Sequence, residues 1–377
     1  MSAKPAAIGA NWQGLPTDGY LGCKRRHGFQ DGAATPRTLS VLGRLLDGDA
    51  KSPQKKEDRL ESVNTLAVLD RDKLRPYHAP SKKAGKKDPM KTRPYQLSQI
   101  QIGDFTLAGY SVAGEESVIV APELDCVFDI GKCPREALAI NHVLLSHGHL
   151  DHAAGLPYYF GQRDFQGIGG GVALVPAELV APLEQLMAAW GRVEGHVPPH
   201  RFVGTKDGDD HEIRRGLIAR AFATRHVSGS LGFSLIDVRQ KLKAEFLGMT
   251  SQQIVELKKS GTEITNRVEV PLVAYLGDTG KANYSALPHV ANAQALLIEC
   301  TFFDPDHLRR ARAGKHLHVA DLAEVLEGMN NQHIIIIHVT RRTNMAAARR
   351  ILRKTLRKDV LDRISFLMSR KYIEEEL

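Results

Sequence analysis

Long apolar runs are missing from this chain, and so is any dense cysteine pattern. No stretch approaches the ~20 consecutive apolar residues that a spanning helix needs, so no membrane partner is expected. The first residues do not set a positively charged segment ahead of an apolar core, so no secretory signal is expected either. Asp18, Asp31, Asp47 and Asp49 argue in the same way against an organellar transit segment. Only four cysteines occur in 377 residues: Cys23, Cys126, Cys133 and Cys300, with no CxxC pair. That usage points to free thiols in a reducing, cytoplasmic setting. Cys126 and Cys133 are close enough in sequence to pair or share a metal, but small apolar core residues are their plainest role.

The composition that remains is ordinary for a globular protein, 42% hydrophobic and 25% charged. A net charge of +8 and a pI near 9.2 favour a polyanionic partner. Residues 1–96 carry Pro, Gly, Ser and Lys clusters without sustained periodicity. Leu39–Leu46 reads as a short helix, and Pro80 to Pro89 as a solvated basic linker. This region is expected to be a mostly disordered basic extension, either an arm with nucleic-acid affinity or a solubilising tail. Residues 371–377 read as a tail.

From residue 97 strand-like and helix-like segments alternate. Strands are predicted at Gln99–Leu107, Ser117–Val120, Asp125–Ile130, Val143–Ser146, Ile218–Ala223, Val270–Leu276, Ala295–Glu299 and His333–Val339. Helices are predicted at Glu136–Ile140, Ala181–Ala189, Val319–Met329 and Asn344–Lys358. Strands apolar on both faces require layers on both sides of a sheet, so the class is α/β. No internal repeat is visible.

The strongest signal is His147-Gly-His149-Leu-Asp151-His152, which comes directly after the buried strand Val143–Ser146. Imidazole and carboxylate suit zinc and other borderline divalent ions. In a turn, His147 and His149 can face one way while Asp151 and His152 face the other, enough to begin two adjacent sites. Completing a dinuclear centre needs about three more ligands. His226, Asp278 and His338 each stand where an apolar strand gives way to a turn. Singly each is ambiguous, and Asp278 in Gly-Asp-Thr-Gly could simply start a turn. Their shared placement supports a ligand reading.

At these residues the chain resembles the metallo-β-lactamase superfamily, and within it the tRNase Z family in its short plant and cyanobacterial form. The resemblance covers about residues 97–370. It rests on the HxHxDH cluster, Gly155-Leu-Pro157, His226-Val-Ser-Gly-Ser-Leu-Gly-Phe233, Gly277-Asp-Thr279, Leu297-Ile-Glu-Cys-Thr-Phe302 and Ile337-His338. Leu247 to Gly261 is the stretch most particular to tRNase Z. The resemblance implies an αβ/βα four-layer sandwich and two Zn²⁺ ions. His147, His149 and His226 would hold one ion, Asp151, His152 and His338 the other, with Asp278 bridging. It further implies Glu299 and His316 as a proton-donating pair, His316 being preferred over His318. A homodimer is implied as well. The chain departs from the family at His338-Val-Thr-Arg-Arg-Thr343, where a Tyr is expected last, and residues 238–268 read as a shortened RNA-binding arm.

The activity this resemblance implies is that of a zinc-dependent endonuclease. It would remove the 3′ trailer of precursor tRNA by metal-hydroxide attack, with Asp151, Glu299 and His316 as catalytic residues. Lys241, Lys243, Lys258 and Lys259 would meet phosphates of the RNA, unless they are a solvated face. For the basic C-terminal helix (Arg349, Arg353, Arg357; Arg350, Lys354, Lys358) the solvated face is the preferred reading. Two alternatives stay open: a small-molecule hydrolase of the same superfamily, and a non-catalytic RNA-binding relative.

Overall fold

The computed structural model describes residues 97–367. The expected basic extension, Cys23, the Leu39–Leu46 helix and the 371–377 tail lie outside the described residues. So do the last three residues of the 97–370 domain.

Two seven-stranded sheets carry the fold. The first runs β1 (Ser98–Ile102), β2 (Phe105–Val112), β3 (Glu116–Ala121), β4 (Cys126–Phe128), β5 (His142–Leu144), β6 (Val172–Pro176) and β7 (Phe202–Thr205), neighbours in space as in sequence. The second runs β8 (Asp210–Arg214), β9 (Leu217–Ala223), β10 (Leu231–Leu242), β11 (Thr265–Tyr275), β12 (Ala295–Glu299), β13 (His333–Ile337) and β14 (Ile364–Phe366). In each sheet the first three pairings are antiparallel and the last three parallel. The two halves therefore repeat one topology, although the sequence shows no repeat. Sheet position constrains only polarity along a strand, not residue identity. The helices are α1 (Leu150–Ala153), α2 (Leu156–Phe165), α3 (Val180–Glu194), α4 (Ser251–Lys259), α5 (Pro288–Ala291), α6 (Leu308–Gly314), α7 (Val319–Val325), α8 (Met345–Thr355) and α9 (Lys358–Leu361).

Successive strand residues point to opposite faces, and in the central strands β3, β4 and β12 both faces are buried. Val118, Val120 and Val143 pack in one cluster with Leu156, Phe160, Leu183 and Met187 of α2 and α3. In the second half Ile334 and Ile336 join that cluster with Leu322, Ala348 and Leu352 of α7 and α8. The alternate residues Ile119, Phe128 and Leu144 meet Phe233, Val273, Leu297 and Ile335 in a second cluster between the sheets. Helix, sheet, sheet, helix is the expected four-layer sandwich. Each fully buried aliphatic or aromatic side chain contributes roughly 1.5–3 kcal/mol, so the inter-sheet cluster fixes how the two ligand-bearing edges face each other. Among the described residues no helix is long and apolar enough to cross a membrane.

Several element limits differ from expectation. Gln99–Leu107 is two strands, because Gly103 takes φ +52° in a turn that Gln101 closes by donating to the Gly103 carbonyl at 2.9 Å. Glu136–Ile140 shortens to a single 3₁₀ turn, Arg135–Ala137. Helix α8 stops at Thr355 and buries Met345, Ala348 and Leu352, leaving Arg350, Arg353 and Lys354 exposed. Strands β10 and β11 extend as a long hairpin to the pair Leu242↔Thr265. Its tip carries α4, started by a reciprocal Thr250–Gln253 capping box. No α4 residue is buried, so this arm stands on its own hydrogen bonds. Cys126, Cys133 and Cys300 are buried free thiols, and burial pushes Cys133 up to about 12, which suits inert core residues.

Candidate metal centre

The centre lies along one edge of both sheets, where strands end and turns begin. The strand β5 delivers His147, His149, Asp151 and His152, and α1 carries the last two. His226 follows β9, Asp278 follows β11, Glu299 ends β12 and His338 follows β13. All seven residues expected to bind metal are brought together. One set is His147, His149, His226 and Asp278, whose nearest ligand atoms lie within 4.8 Å of one another. Another is Asp151, His152 and His338. Asp278 stands between them: its Oδ2 is 3.8 Å from His147 Nε2, 3.7 Å from His226 Nε2 and 3.4 Å from His152 Nε2, while Oδ1 is 3.3 Å from His338 Nδ1.

Outer hydrogen bonds decide which ring nitrogens face inward. Ser146 Oγ donates to Asp129 Oδ2 at 2.7 Å, so it accepts from His147 Nδ1–H at 2.9 Å. That leaves a lone pair on His147 Nε2. His152 Nδ1 donates to Asp129 Oδ2 at 2.6 Å. Thr301 Oγ1 donates to Glu299 Oε2 at 2.5 Å and therefore accepts from His338 Nδ1–H at 3.0 Å. His226 Nδ1 donates to the Lys315 carbonyl at 3.3 Å. Such partners orient ligating imidazoles and raise their basicity. His149 turns the other way and presents Nδ1, 2.9 Å from His147 Nε2 and 3.2 Å from His226 Nε2. Lone pairs this close repel unless a proton or a cation lies between them.

The donor set fits a divalent ion on two further counts. Asp278 is fully buried, yet its Oδ1 has no hydrogen bond. A buried carboxylate left short of partners costs several kcal/mol unless a cation compensates it. The field is also electronegative. Burial opposes charge on His152, but Asp278 and Asp129 outweigh it and hold the imidazole well above its ordinary value. Burial and the neighbouring His152 push His147 down to about 2. Asp278 stays well below the carboxylate range because His338 and His152 outweigh its burial. The pocket thus recruits positive charge while keeping His147 neutral, as a metal ligand must be.

Sequence patterning does not mark Asp129, Ser146 or Thr301. Asp129 is the hub of the first half: it also accepts from Ser146 N at 2.7 Å and from the Tyr275 hydroxyl. Its one sequence signal is its place after the apolar strand Cys126–Phe128, the same kind of position as Asp278. Gly277 makes that second position possible, since it takes φ +58° and a Cβ there would meet Ser146 Cβ at 2.8 Å.

Glu299 accepts from Thr279 N, Leu317 N, Thr301 Oγ1 and His316 Nδ1, the last at 2.9 Å. Burial opposes charge on His316, but the hydrogen bond to Glu299 and its charge raise the imidazole above its ordinary value. His318 is used elsewhere: its Nδ1 accepts from Ala320 N and its Nε2 donates to the Asp304 carbonyl. A cavity of about 620 Å³ opens onto the centre, lined among others by His149, Asp151, Asp278, His316, His338 and Arg310. The four arm lysines do not line it. Lys241, Lys258 and Lys259 are exposed on the hairpin and α4, and half-buried Lys243 lies 3.7 Å from Glu263.

Residues 124–339 match the Beta-lactamase superfamily domain. The tRNase Z TRZ1 of Arabidopsis thaliana is 33% identical over 250 residues, covering 64% of this chain and 88% of that relative. The chloroplastic tRNase Z TRZ2 of the same plant is 31% identical over 262 residues, covering 68% and 73%. A Nuclear ribonuclease Z of Triticum aestivum is 36% identical over 170 residues, covering 45% and 97%. The matched domain spans more than half of the chain and contains every one of the strand-end residues of the centre. On these matches the chain belongs to the tRNase Z family of the β-lactamase superfamily, a family of metal-dependent ribonuclease hydrolases.

Proposed function

We propose that this protein is a zinc endonuclease that removes the 3′ trailer from precursor tRNA. The observation that carries it is the pair of inward-facing donor sets sharing Asp278, with Glu299–His316 on their rim. His147, His149 and His226 would hold one Zn²⁺ and Asp151, His152 and His338 the other, with Asp278 shared by the two donor sets. When bound, two such ions lower the pKa of a water to about 7 and draw charge from a phosphate. The chain's own residues do the rest. Asp129, Ser146 and Thr301 fix the imidazoles that meet the ions. Asp151 is anchored by Gly114 N–H at 2.8 Å. Glu299 holds His316 by Nδ1 with its Nε2 side toward the cavity, and strengthens its hold on a proton. His316 then delivers that proton to the departing ribose oxygen. Lys241, Lys243, Lys258 and Lys259 on the arm meet phosphates of the tRNA body. The enzyme works as a homodimer in a reducing compartment, the cytoplasm, in keeping with its buried free thiols.

The test is cleavage of a precursor tRNA by the zinc-loaded full chain. A single cut releasing the trailer is expected, abolished by a chelator and by His149→Ala. Metal analysis should find close to two zinc per chain, and sedimentation a mass near twice 41.5 kDa. Hydrolysis of bis(p-nitrophenyl) phosphate with the precursor left intact would instead favour a small-molecule hydrolase.

A further inference from the structure

The RNA grip proposed for the arm leaves the mouth of the catalytic cavity unexplained. Helix α6 forms part of that mouth, and it contains Arg309, Arg310 and Arg312 with no acidic residue. Lys315 comes next, one residue before His316. These four cations have no carboxylate partner among the described residues. From residue 304 to 315 only Asp304 and Asp306 oppose them, and Asp304 Oδ1 is taken by Asp306 N at 3.0 Å. The arm is more nearly neutral. From 241 to 263 its four lysines face Glu245, Glu256 and Glu263.

Within the rim the guanidinium groups differ in availability. Arg341 is closed onto Glu115, which binds both its Nε and its NH2. Arg342, the next residue, is exposed, has no such partner and lines the same cavity. Arg310 also lines it, its guanidinium lying 5.6 Å from the centroid of the Phe302 ring. Phe302 directly follows Thr301, the residue that orients His338. Stacking on that ring restrains Arg310 at the cavity wall without neutralising it.

We infer that Arg310 and Arg342, backed by Arg309, Arg312 and Lys315, grip the single-stranded RNA backbone next to the scissile phosphodiester. This rests on the nuclease reading and adds a second contact, separate from the arm. Unpaired guanidinium groups on the rim of a cavity attract the RNA backbone and fix its register without reading bases. The arm would hold the folded tRNA body, while the rim would hold the strand being cut.

The direct probe is a short phosphorothioate-linked oligouridylate, which keeps the backbone charge and resists cleavage. Its affinity for the metal-loaded full chain is measured by fluorescence anisotropy across a salt series. For Arg310→Ala/Arg342→Ala the slope of log K against log salt should fall by about 1.4, the share of two phosphate contacts on a single strand. In precursor cleavage KM should rise about tenfold with kcat changed far less. Arg310→Lys should restore part of the affinity, because it keeps charge but not the planar stack. An unchanged slope and KM in the double variant, with thermal unfolding like the wild type, overturns the grip. If the wild type binds oligouridylate with the full slope yet cuts no precursor, the nuclease reading fails and the grip stands.

Discussion

Asp129 and Asp278 address opposite nitrogens of one imidazole: Asp129 Oδ2 lies 2.6 Å from His152 Nδ1, and Asp278 Oδ2 lies 3.4 Å from His152 Nε2. Each carboxylate follows the fourth strand of its own sheet, β4 or β11. The repeated topology has placed the same residue type at matching ends, and the two halves divide the work. Asp129 is saturated by protein donors, whereas Asp278 keeps an unbonded oxygen toward the centre.

Asp129→Asn tests that division. An asparagine fits the space but presents one NH₂ where only donors point inward. Zinc affinity and cleavage should each fall roughly 10–100-fold, the usual cost of losing an outer partner of a ligating His. Competition against a chromophoric chelator reads the affinity. A variant with zinc affinity within twofold of wild type would show that Asp129 serves the fold alone.

His316→Ala removes the proposed proton donor without touching the two donor sets. The cleavage rate should drop about 10²–10⁴-fold, with metal content unchanged. Loss of zinc along with activity would make His316 a ligand and remove it from the donor role. Glu299→Gln is expected to behave worse than its modest chemistry suggests. Its amide would turn an NH₂ toward one of the backbone donors, Thr279 N or Leu317 N, so unfolding should be easier as well.

Far from the centre, Arg220 ties β8 to β11 through Asp210 at 2.7 Å and Glu269 at 2.8 Å. Its hydrogen bonds hold both carboxylates below their ordinary values of 3.8 and 4.5. Their contribution to stability is therefore present in full above those values and lost as pH falls through the depressed ones. Arg220→Met should lower the melting temperature by about 2–4 °C at neutral pH, in keeping with about 1 kcal/mol for a partly exposed pair. The gap from wild type should close in strong acid. A gap that stays constant from neutral to acid pH would mean that packing, not charge, is what the arginine supplies.

The ligands are legible in sequence for a physical reason. A strand buried on both faces reads as an unbroken apolar run, so His147, His226, Asp278 and His338 stand out where the runs stop. Ser146 and Thr301 sit at the same strand ends, but small hydroxyl residues are common in turns and give no distinct signal. Asp129 falls inside the predicted strand Asp125–Ile130 and so does not stand out as a strand-end residue, whereas the strand stops at Phe128. The doubling of the fold is invisible because matching strands share polarity and not residues. Gln99–Leu107 reads as one strand because polar and apolar residues alternate on both sides of Gly103-Asp104, although the apolar positions shift there from 100 and 102 to 105 and 107.

The arm offers the cleanest separation of substrate binding from the metal centre. Strands β10 and β11 pair in register out to Leu242↔Thr265, and everything beyond belongs to the tip. No residue of α4 is buried, and Leu247, Met249 and Val255 are exposed there. Replacing residues 243–264 with a two-residue Asn-Gly turn suits the hairpin twist and removes no core contact. Zinc content should be unchanged and the melting temperature nearly so, because the core clusters contain no tip residue. Hydrolysis of bis(p-nitrophenyl) phosphate should continue, while KM for precursor tRNA rises by an order of magnitude or more as Lys243, Lys258 and Lys259 are lost. Equal loss on both substrates would mean that the arm supports the catalytic edge itself. No loss on either would leave the α6 rim as the main contact to RNA.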